Sequence, residues 1–262
     1  MKADKGTQAF YEEEARRYPR IHERPVQRYS AAFEAELMSP YIGDDAVCVD
    51  VGCGEGRTAR TLAQAPGRWV VGLDFSLEML RVARRMPGSE PVRYVAGDAM
   101  RLPFPDGVFD ATVAVTSLNN VPDLARCLAE MGRVLKPGGR AILLVINRHE
   151  LAAPLRGLYF LPFYIWRSMR GGRPYRSLTF SRDEVLGALP PSLSVEHAQG
   201  MRLLPDLIPE WPLNMLALFA PVTRRLLQWL APVDRRLCAH PRWGRLARFH
   251  FVVARKEEDV CA

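Results

Sequence analysis

The chain has 262 residues, of which 48% are apolar and 25% charged, and its formal net charge is +7. This length and composition are typical of one large folded domain and exclude an intrinsically disordered chain. The positive charge would suit an anionic partner, but nearly all the basic residues are arginine, a bias that we attribute mainly to a GC-rich bacterial genome.

Before residue 46 the chain is predicted to form two helices, broken near Pro19 and Pro25. From residue 46 to 146, short runs rich in Val and Ile alternate with amphipathic stretches, as buried parallel strands alternate with helices. The strands are predicted at 46–51, 69–74, 91–98, 108–115 and 140–146, and the helices at 57–65, 76–86 and 123–135. Ser76 is a predicted N-cap, and KPGG at 136–139 is predicted to end the third helix.

The C-terminal part is less regular. A capping box formed by Ser181 and Glu184 starts a helix within 179–189, and residues 192–201 and 248–256 are predicted as closing strands. We therefore expect an α/β fold with a doubly wound, Rossmann-like, seven-stranded and mainly parallel sheet. Within this one structural domain we distinguish an N-terminal helical lid at 1–45 and a core at 46–147. The remainder of the sheet, 148–262, carries two insertions, at about 151–178 and 202–245, that we expect to act as substrate lids.

The cysteines and the N-terminus suggest the protein's environment. The five cysteines are scattered and form no C-x-x-C pair, so they indicate neither a zinc site nor a disulfide framework, and we expect no metal. The N-terminal stretch MKADKGTQAFYEEEARR is charged and lacks the apolar core of a signal peptide. We expect a cytoplasmic protein.

A glycine-rich turn suggests the ligand. The stretch VDVGCGEGRTAR at 49–60 alternates three glycines between a predicted strand and a predicted helix, where backbone N–H groups and a helix N-terminus can face a ligand. The dinucleotide pattern G-x-G-x-x-G does not fit, because Arg57 stands where its third glycine is required. A Walker loop is excluded because no G-K-[ST] follows. Glycine turns of this kind serve several nucleotides, so the companion residues must decide.

The stretch DVGCGEG resembles the D/E-x-G-x-G-x-G motif of class I S-adenosylmethionine-dependent methyltransferases. Asp74 at the end of the second strand, GDAMRLPFPDGVFDATVA at 97–114 and RVLKPGGRAILLV at 133–145 resemble the next motifs of that family, in order. The pattern is most similar to type 11 small-molecule methyltransferases, including those of ubiquinone and menaquinone biosynthesis. The resemblance covers roughly residues 45–146. It implies an enzyme that binds S-adenosylmethionine and releases S-adenosylhomocysteine.

The resemblance also implies which residues bind this cofactor. Asp50 is expected at its methionine end, Asp74 at both ribose hydroxyls, and Asp98 at the adenine amino group. The full set of expected cofactor residues is Asp50, Gly52, Cys53, Gly54, Gly56, Asp74, Phe75, Met79, Asp98, Ala99 and Thr116. Each has a structural alternative: the carboxylates could cap turns or helices, Phe75 and Met79 could belong to the core, and Cys53 is expected to be buried rather than nucleophilic.

The methyl acceptor is expected over the carboxyl ends of the fourth and fifth strands. The segments TSLNN at 116–120 and NRHE at 147–150 follow those strands and supply polar side chains there. Enzymes of the family that this sequence resembles also carry tyrosines in their N-terminal lid helices. The candidate catalytic residues are His149, Tyr11 and Tyr18, and the candidate substrate-binding residues are Asn119, Asn120 and Tyr159. An exposed loop histidine is the alternative for His149. An activated methyl group needs mainly alignment and exclusion of water, so the fold does not identify a base.

The two insertions are rich in aromatic and aliphatic residues and contain arginine pairs. They could cover a bulky apolar acceptor, rest weakly on an anionic membrane surface, or pack as a cap on the core or a second subunit. The favoured function is methyl transfer to a fairly hydrophobic small molecule, such as a secondary metabolite or lipid-like precursor, by a monomer or homodimer. The alternatives are an RNA methyltransferase, although no nucleic-acid-binding module is recognisable, and an inactive cofactor-binding scaffold.

Overall fold

The computed structural model describes residues 10–12, 15, 25–155, 157, 161, 177–207 and 220–258. These residues form one seven-stranded sheet. In chain order its strands are β1 (Val47–Val51), β2 (Trp69–Asp74), β3 (Val92–Ala96), β4 (Phe109–Val115), β5 (Leu135–Ile146), β6 (Leu193–Met201) and β7 (Phe249–Lys256). The spatial order is β3-β2-β1-β4-β5-β7-β6, and β7 runs antiparallel to both of its neighbours. The predicted doubly wound, mainly parallel sheet is confirmed.

Helices cover both faces of the sheet. They are α1 (Pro25–Met38), α2 (Arg57–Leu62), α3 (Leu77–Arg85), α4 (Leu124–Val134), α5 (Arg182–Gly187) and α6 (Ala220–Ala239). The predicted caps are present: the Ser76 side chain accepts a hydrogen bond from the Met79 N–H, and Ser181 and Glu184 form the reciprocal capping box. None of the described helices is both long enough and apolar enough to cross a membrane.

Two apolar clusters hold the helices on the sheet. On one face Phe33 of α1 and Leu62 of α2 pack with Phe251 of β7. On the other face Leu128 of α4 and Val185 of α5 pack with residues from β1, β4, β5 and β7. The central strands are therefore buried on both sides, which explains why their sequences are apolar at nearly every position.

The KPGG segment differs from the prediction. The helix α4 ends at Val134 as expected, but β5 begins at Leu135 rather than near residue 140. Leu135 pairs with Phe109 and Arg140 pairs with Ala111, so four residues between them bulge out of the strand. Gly138 has a φ of 76° within this bulge, which only glycine adopts readily. The predicted turn is therefore a bulge inside a longer strand.

The second insertion contains a long helix, α6, in which one buried carboxylate bonds to two other parts of the fold. Asp234 accepts hydrogen bonds from the Tyr29 hydroxyl on α1 at 2.9 Å and from the backbone N–H groups of Leu203 and Leu204 at 2.9 and 2.8 Å. Burial, followed by the nearby Asp234 carboxylate, raises the pKa of Tyr29. The helix α6 is therefore held against both α1 and the end of β6.

His250 on β7 is buried, and neither of its ring nitrogens has a hydrogen-bond partner in the described part of the chain. Burial lowers the pKa of His250 to about 4. Below pH ~6.5 the unfolded chain takes up a proton at this residue, whereas the folded chain does so only near pH 4. The free energy of unfolding should therefore fall as the pH drops from 6.5 to 4, by at most ~1.4 kcal/mol per pH unit from this group.

We expect His250→Leu to remove this contribution, because leucine cannot be protonated and leaves no buried nitrogen without a partner. Urea unfolding of both proteins at several pH values checks the result. The stability difference between variant and wild type should grow in favour of the variant as the pH falls. Curves that stay parallel from pH 7.5 to 4.5 would contradict the assignment.

Candidate active site

The glycine turn joins β1 to α2 and is fastened to the neighbouring strand β2. The backbone N–H groups of Gly52 and Cys53 both donate to the Leu73 carbonyl, at 2.7 and 2.9 Å. All three glycines have positive φ: 75° at Gly52, 54° at Gly54 and 78° at Gly56. This left-handed backbone is readily available to glycine and costs other residues about 1–2 kcal/mol each.

The glycines also differ in what surrounds them. A Cβ atom added to Gly52 would lie 2.3 Å from the Ser117 Cβ, and one added to Gly56 would lie 2.4 Å from the Tyr94 hydroxyl. A Cβ on Gly54 would meet no protein atom within 4 Å. Packing therefore requires glycine at the first and third positions, whereas at the second the missing side chain leaves open space beside the backbone.

Asp74 at the end of β2 lies directly beside this open space. Its two carboxylate oxygens accept separate hydrogen bonds, one from the Gly54 N–H at 2.8 Å and one from the Ser76 N–H at 2.9 Å. Burial raises the pKa of Asp74, while these backbone donors counteract the increase. The carboxylate is held in one orientation and keeps lone pairs on both oxygens for hydroxyl donors.

Asp50 on β1 is 1% exposed, and its Oδ2 atom has no hydrogen-bond partner among the described residues. Burial raises the pKa of Asp50 to about 7, and the nearby Arg57 guanidinium limits the increase. Arg57 in turn forms a 2.6 Å ion pair with Glu34 of α1. A buried acceptor without a partner beside a cleft is suited to a cationic or hydrogen-bond-donating ligand group.

The ends of β3 and β4 supply the other wall. The Oδ1 atom of Asp98 accepts from the Met100 N–H at 2.9 Å. Thr116 has a φ of 57°, which is unusual for a β-branched residue, and its N–H donates to the Leu144 carbonyl at 2.7 Å. The next residue, Ser117, donates to the Val51 carbonyl at 2.5 Å. These bonds fasten the strained backbone after β4 to both of its neighbouring strands.

Together these residues surround a cleft of about 1030 Å³, part of it open to solvent. The cleft lies at the carboxyl ends of the strands. There the chain leaving β1 and the chain leaving β4 turn to opposite sides of the sheet. In folds of this kind, ligands usually bind in the crevice at such a point. The expected residues that line it are Tyr11, Asp50, Gly52, Cys53, Gly54, Asp74, Phe75, Met79, Asp98, Ala99, Thr116 and Asn120. The lining residues that the sequence reasoning missed are Glu55, Arg57, Thr58, Met100, Val115, Ser117, Leu118, Val121 and Pro122.

Tyr11 crosses the cleft from the N-terminal region. Its hydroxyl accepts a hydrogen bond from the Asn120 side-chain amide at 3.0 Å, and its ring meets the Phe75 ring edge-on at 6.2 Å between centroids. One aromatic side chain thus bridges the residues that follow β2 and β4. The phenol, a candidate catalytic group from the sequence, lies among the expected cofactor residues.

Other candidates lie elsewhere. The Asn119 side-chain amide donates to the Leu178 carbonyl and its oxygen accepts from the Ile146 N–H, so this buried residue joins backbone segments instead of lining the cleft. His149 is exposed and does not line it either, and Gly56 forms the N-cap of α2 behind it. Tyr18 and Tyr159 lie outside the described residues, as does most of the first insertion. The described part of the second insertion packs on α1 and β6, and none of its residues lines the cleft.

Comparison with known proteins gives matches across the glycine turn and the strands that follow. Residues 49–143 match the family model described as a methyltransferase domain. A demethylmenaquinone methyltransferase from Bacillus licheniformis is 40% identical over 129 residues, which cover 48% of this chain and 55% of that protein. One from Deinococcus radiodurans is 39% identical over 142 residues, covering 53% and 55% respectively. The chain spans about half the length of the curated relatives it matches.

Solved structures extend the likeness of the fold beyond this segment. A S-adenosylmethionine-dependent methyltransferase from Methanosarcina mazei has a TM-score of 0.59 at 21% identity, covering 85% of this chain and 98% of the other. Geranyl diphosphate C-methyltransferase from Streptomyces coelicolor, solved with Mg²⁺, geranyl diphosphate and S-adenosylhomocysteine, has a TM-score of 0.55 at 20% identity, covering 86% and 79%. Residues 49–143 therefore match a methyltransferase domain, and the seven-stranded sheet that contains them shares the Rossmann-like fold of these solved structures.

Proposed function

We propose that the protein binds S-adenosylmethionine in the cleft and transfers its methyl group to a fairly hydrophobic small molecule. The observation that carries the proposal is the arrangement around Gly54. Open space beside this glycine lies next to the Asp74 carboxylate, and the buried Asp50 carboxylate faces the same cleft with one oxygen unpartnered.

The chemistry of these groups fits the cofactor. Asp74 would accept hydrogen bonds from the ribose hydroxyls, and Asp98 from the adenine amino group. Asp50 would face the amino group of the methionine end, and Arg57 would provide a cation for its carboxylate. When bound, S-adenosylmethionine supplies a methyl group already activated by the positively charged sulfur.

The protein's own contribution would then be orientation and the exclusion of water. Asp74 is held by two backbone donors, and Cys53 is buried with a pKa well above its usual value, so neither is prepared to act as a nucleophile. We assign the acceptor side to Tyr11 and Asn120, which are hydrogen-bonded to each other at the edge of the cleft. In this arrangement the Tyr11 phenol positions the acceptor.

Two comparisons support an acceptor with a large apolar part. The relatives are named for demethylmenaquinone, and one structural neighbour was solved with geranyl diphosphate. In this chain Phe75, Met79 and Leu118 add apolar surface to the cleft, and Tyr11 is the one described lining residue that lies outside residues 49–143. Arg57 is the one arginine among the described residues that line the cleft, so RNA is the less favoured acceptor.

Isothermal titration calorimetry with the purified full-length chain tests the cofactor assignment. We expect roughly micromolar dissociation constants for both S-adenosylmethionine and S-adenosylhomocysteine, because several hydrogen bonds to charged groups form in one cleft. A dinucleotide such as NAD should give no heat. Heat with NAD and none with either adenosyl ligand would overturn the assignment.

A further inference from the structure

One face of the helix α6 combines exposed apolar side chains with arginines. Val222, Leu226, Trp229 and Val233 are all exposed, and Trp229 most of all at 74%. Their spacings of four, three and four residues place them in one stripe along the helix. Large apolar side chains lined up in solvent on a helix mark an interaction surface more often than an ordinary surface.

This stripe is not the side by which α6 packs on the protein. Thr223, Leu227, Asp234 and Cys238 form the buried side, and Asp234 binds α1 and the end of β6. The helix is therefore anchored on one side, and the exposed stripe lies on another part of its circumference. None of the described residues covers the stripe.

The charges beside the stripe indicate the nature of that partner. Arg225 and Arg236 are exposed and lie about 60° around the helix from the stripe's centre, given 100° per residue. Arg235 is already paired with Glu36 of α1 at 2.5 Å. The only acidic residue of α6 is Asp234, which is buried. The exposed side of the helix is thus apolar and positive, with no compensating carboxylate of its own.

We propose that α6 docks on the surface of an anionic phospholipid membrane. The stripe would enter the boundary between headgroups and acyl chains, where tryptophan is favoured, and Arg225 and Arg236 would contact lipid phosphates. A second copy of the chain suits this face less well, because a two-fold contact through the stripe would bring the arginines of both copies together. This inference goes beyond the proposed function and does not depend on it.

Co-sedimentation of the full chain with lipid vesicles tests the proposal. We expect binding to vesicles that contain phosphatidylglycerol and little binding to pure phosphatidylcholine. Because the attraction is partly electrostatic, binding should weaken as the salt concentration rises from about 50 mM to about 500 mM, a range over which charge screening becomes strong. Trp229→Ser should weaken binding by about tenfold. The double change Arg225→Gln and Arg236→Gln should also cost at least tenfold, at roughly fivefold for each arginine.

Trp69→Ser is the matched control, since Trp69 is 64% exposed but lies at the start of β2, away from α6. It should bind vesicles as the wild type does. Unfolding midpoints of all variants should match the wild type, because the changed side chains are exposed. The proposal is wrong if Trp229→Ser binds anionic vesicles as tightly as wild type. The proposal is also wrong if the wild type does not bind anionic vesicles and light scattering shows a dimer that Trp229→Ser dissociates.

Discussion

Replacing Asp74 by alanine is expected to weaken the binding of S-adenosylmethionine by more than tenfold. The change removes a charged acceptor from the proposed ribose position, where each hydrogen bond to a carboxylate contributes about 1.5–3 kcal/mol. It also leaves the Gly54 and Ser76 N–H groups without their acceptor, so the glycine turn loses a contact with β2. Calorimetry on wild type and variant measures the loss.

Asp74→Asn should be milder, because the amide oxygen still accepts one hydrogen bond. Asp44→Ala is a control on an exposed carboxylate between α1 and β1, and it should leave the affinity unchanged. An Asp74→Ala protein that keeps both its unfolding midpoint and its affinity would show that the ribose lies elsewhere in the cleft.

Gly54→Ala should abolish cofactor binding while the protein still folds. Its new methyl group meets no protein atom, so the folded state bears only the cost of a left-handed alanine, about 1–2 kcal/mol. The methyl group occupies the space in which we place the ligand. Gly52→Ala should instead destabilise the fold by more, because its methyl group also collides with Ser117 and the overpacking adds roughly 1–3 kcal/mol.

Gly88→Ala provides the matched control for both variants. Gly88 has a φ of 77°, and a Cβ there would also meet nothing within 4 Å, but it lies in the turn after α3, outside the cleft. Chemical unfolding should give Gly54→Ala and Gly88→Ala similar losses of stability, and calorimetry should show lost binding only for Gly54→Ala. Equal affinities for these two variants would remove Gly54 from the proposed site.

The central sheet could be predicted because local and tertiary preferences agree there. The strands β1 to β4 are short apolar runs buried on both faces, and each observed boundary falls within about two residues of the expectation. The start of β5 could not be predicted in the same way. Pro137 and the glycines beside it indicate a turn. The chain nevertheless begins to pair with β4 at Leu135, bulges, and pairs again from Arg140, and only the neighbouring strand determines this.

The cofactor side of the site was predictable because its carboxylates directly follow strands whose carboxyl ends meet at one edge of a parallel sheet. The acceptor side was less so. Asn119 and Asn120 are adjacent in a short 3₁₀ segment, Leu118–Asn120, in which successive side chains point about 120° apart. One therefore faces inward to Leu178 and the other faces the cleft, and the sequence contains no signal that separates them.

The second insertion was predictable in composition but not in placement. Its apolar residues were expected to cover an acceptor, the core or a second subunit, or to rest on a membrane. In α6 they divide between two sides of one helix, and Asp234 lies on the side that turns inward. A single buried carboxylate with partners on α1 and after β6 is a long-range feature that periodicity alone does not reveal.

The ion pair between Arg57 and Glu34 has a consequence for how this protein could be divided or recombined. Arg57 lies within the segment that matches the methyltransferase domain and lines the cleft, but its partner lies on α1, before that segment begins. A fragment cut at the start of that segment would leave this guanidinium with Glu55 and Asp50 as its nearby counter-charges. Exchanging the N-terminal region with that of a relative would likewise change the electrostatics of the cleft. The flanking helix and the core are thus linked electrostatically, and a chimera would have to keep Glu34 and Arg57 together.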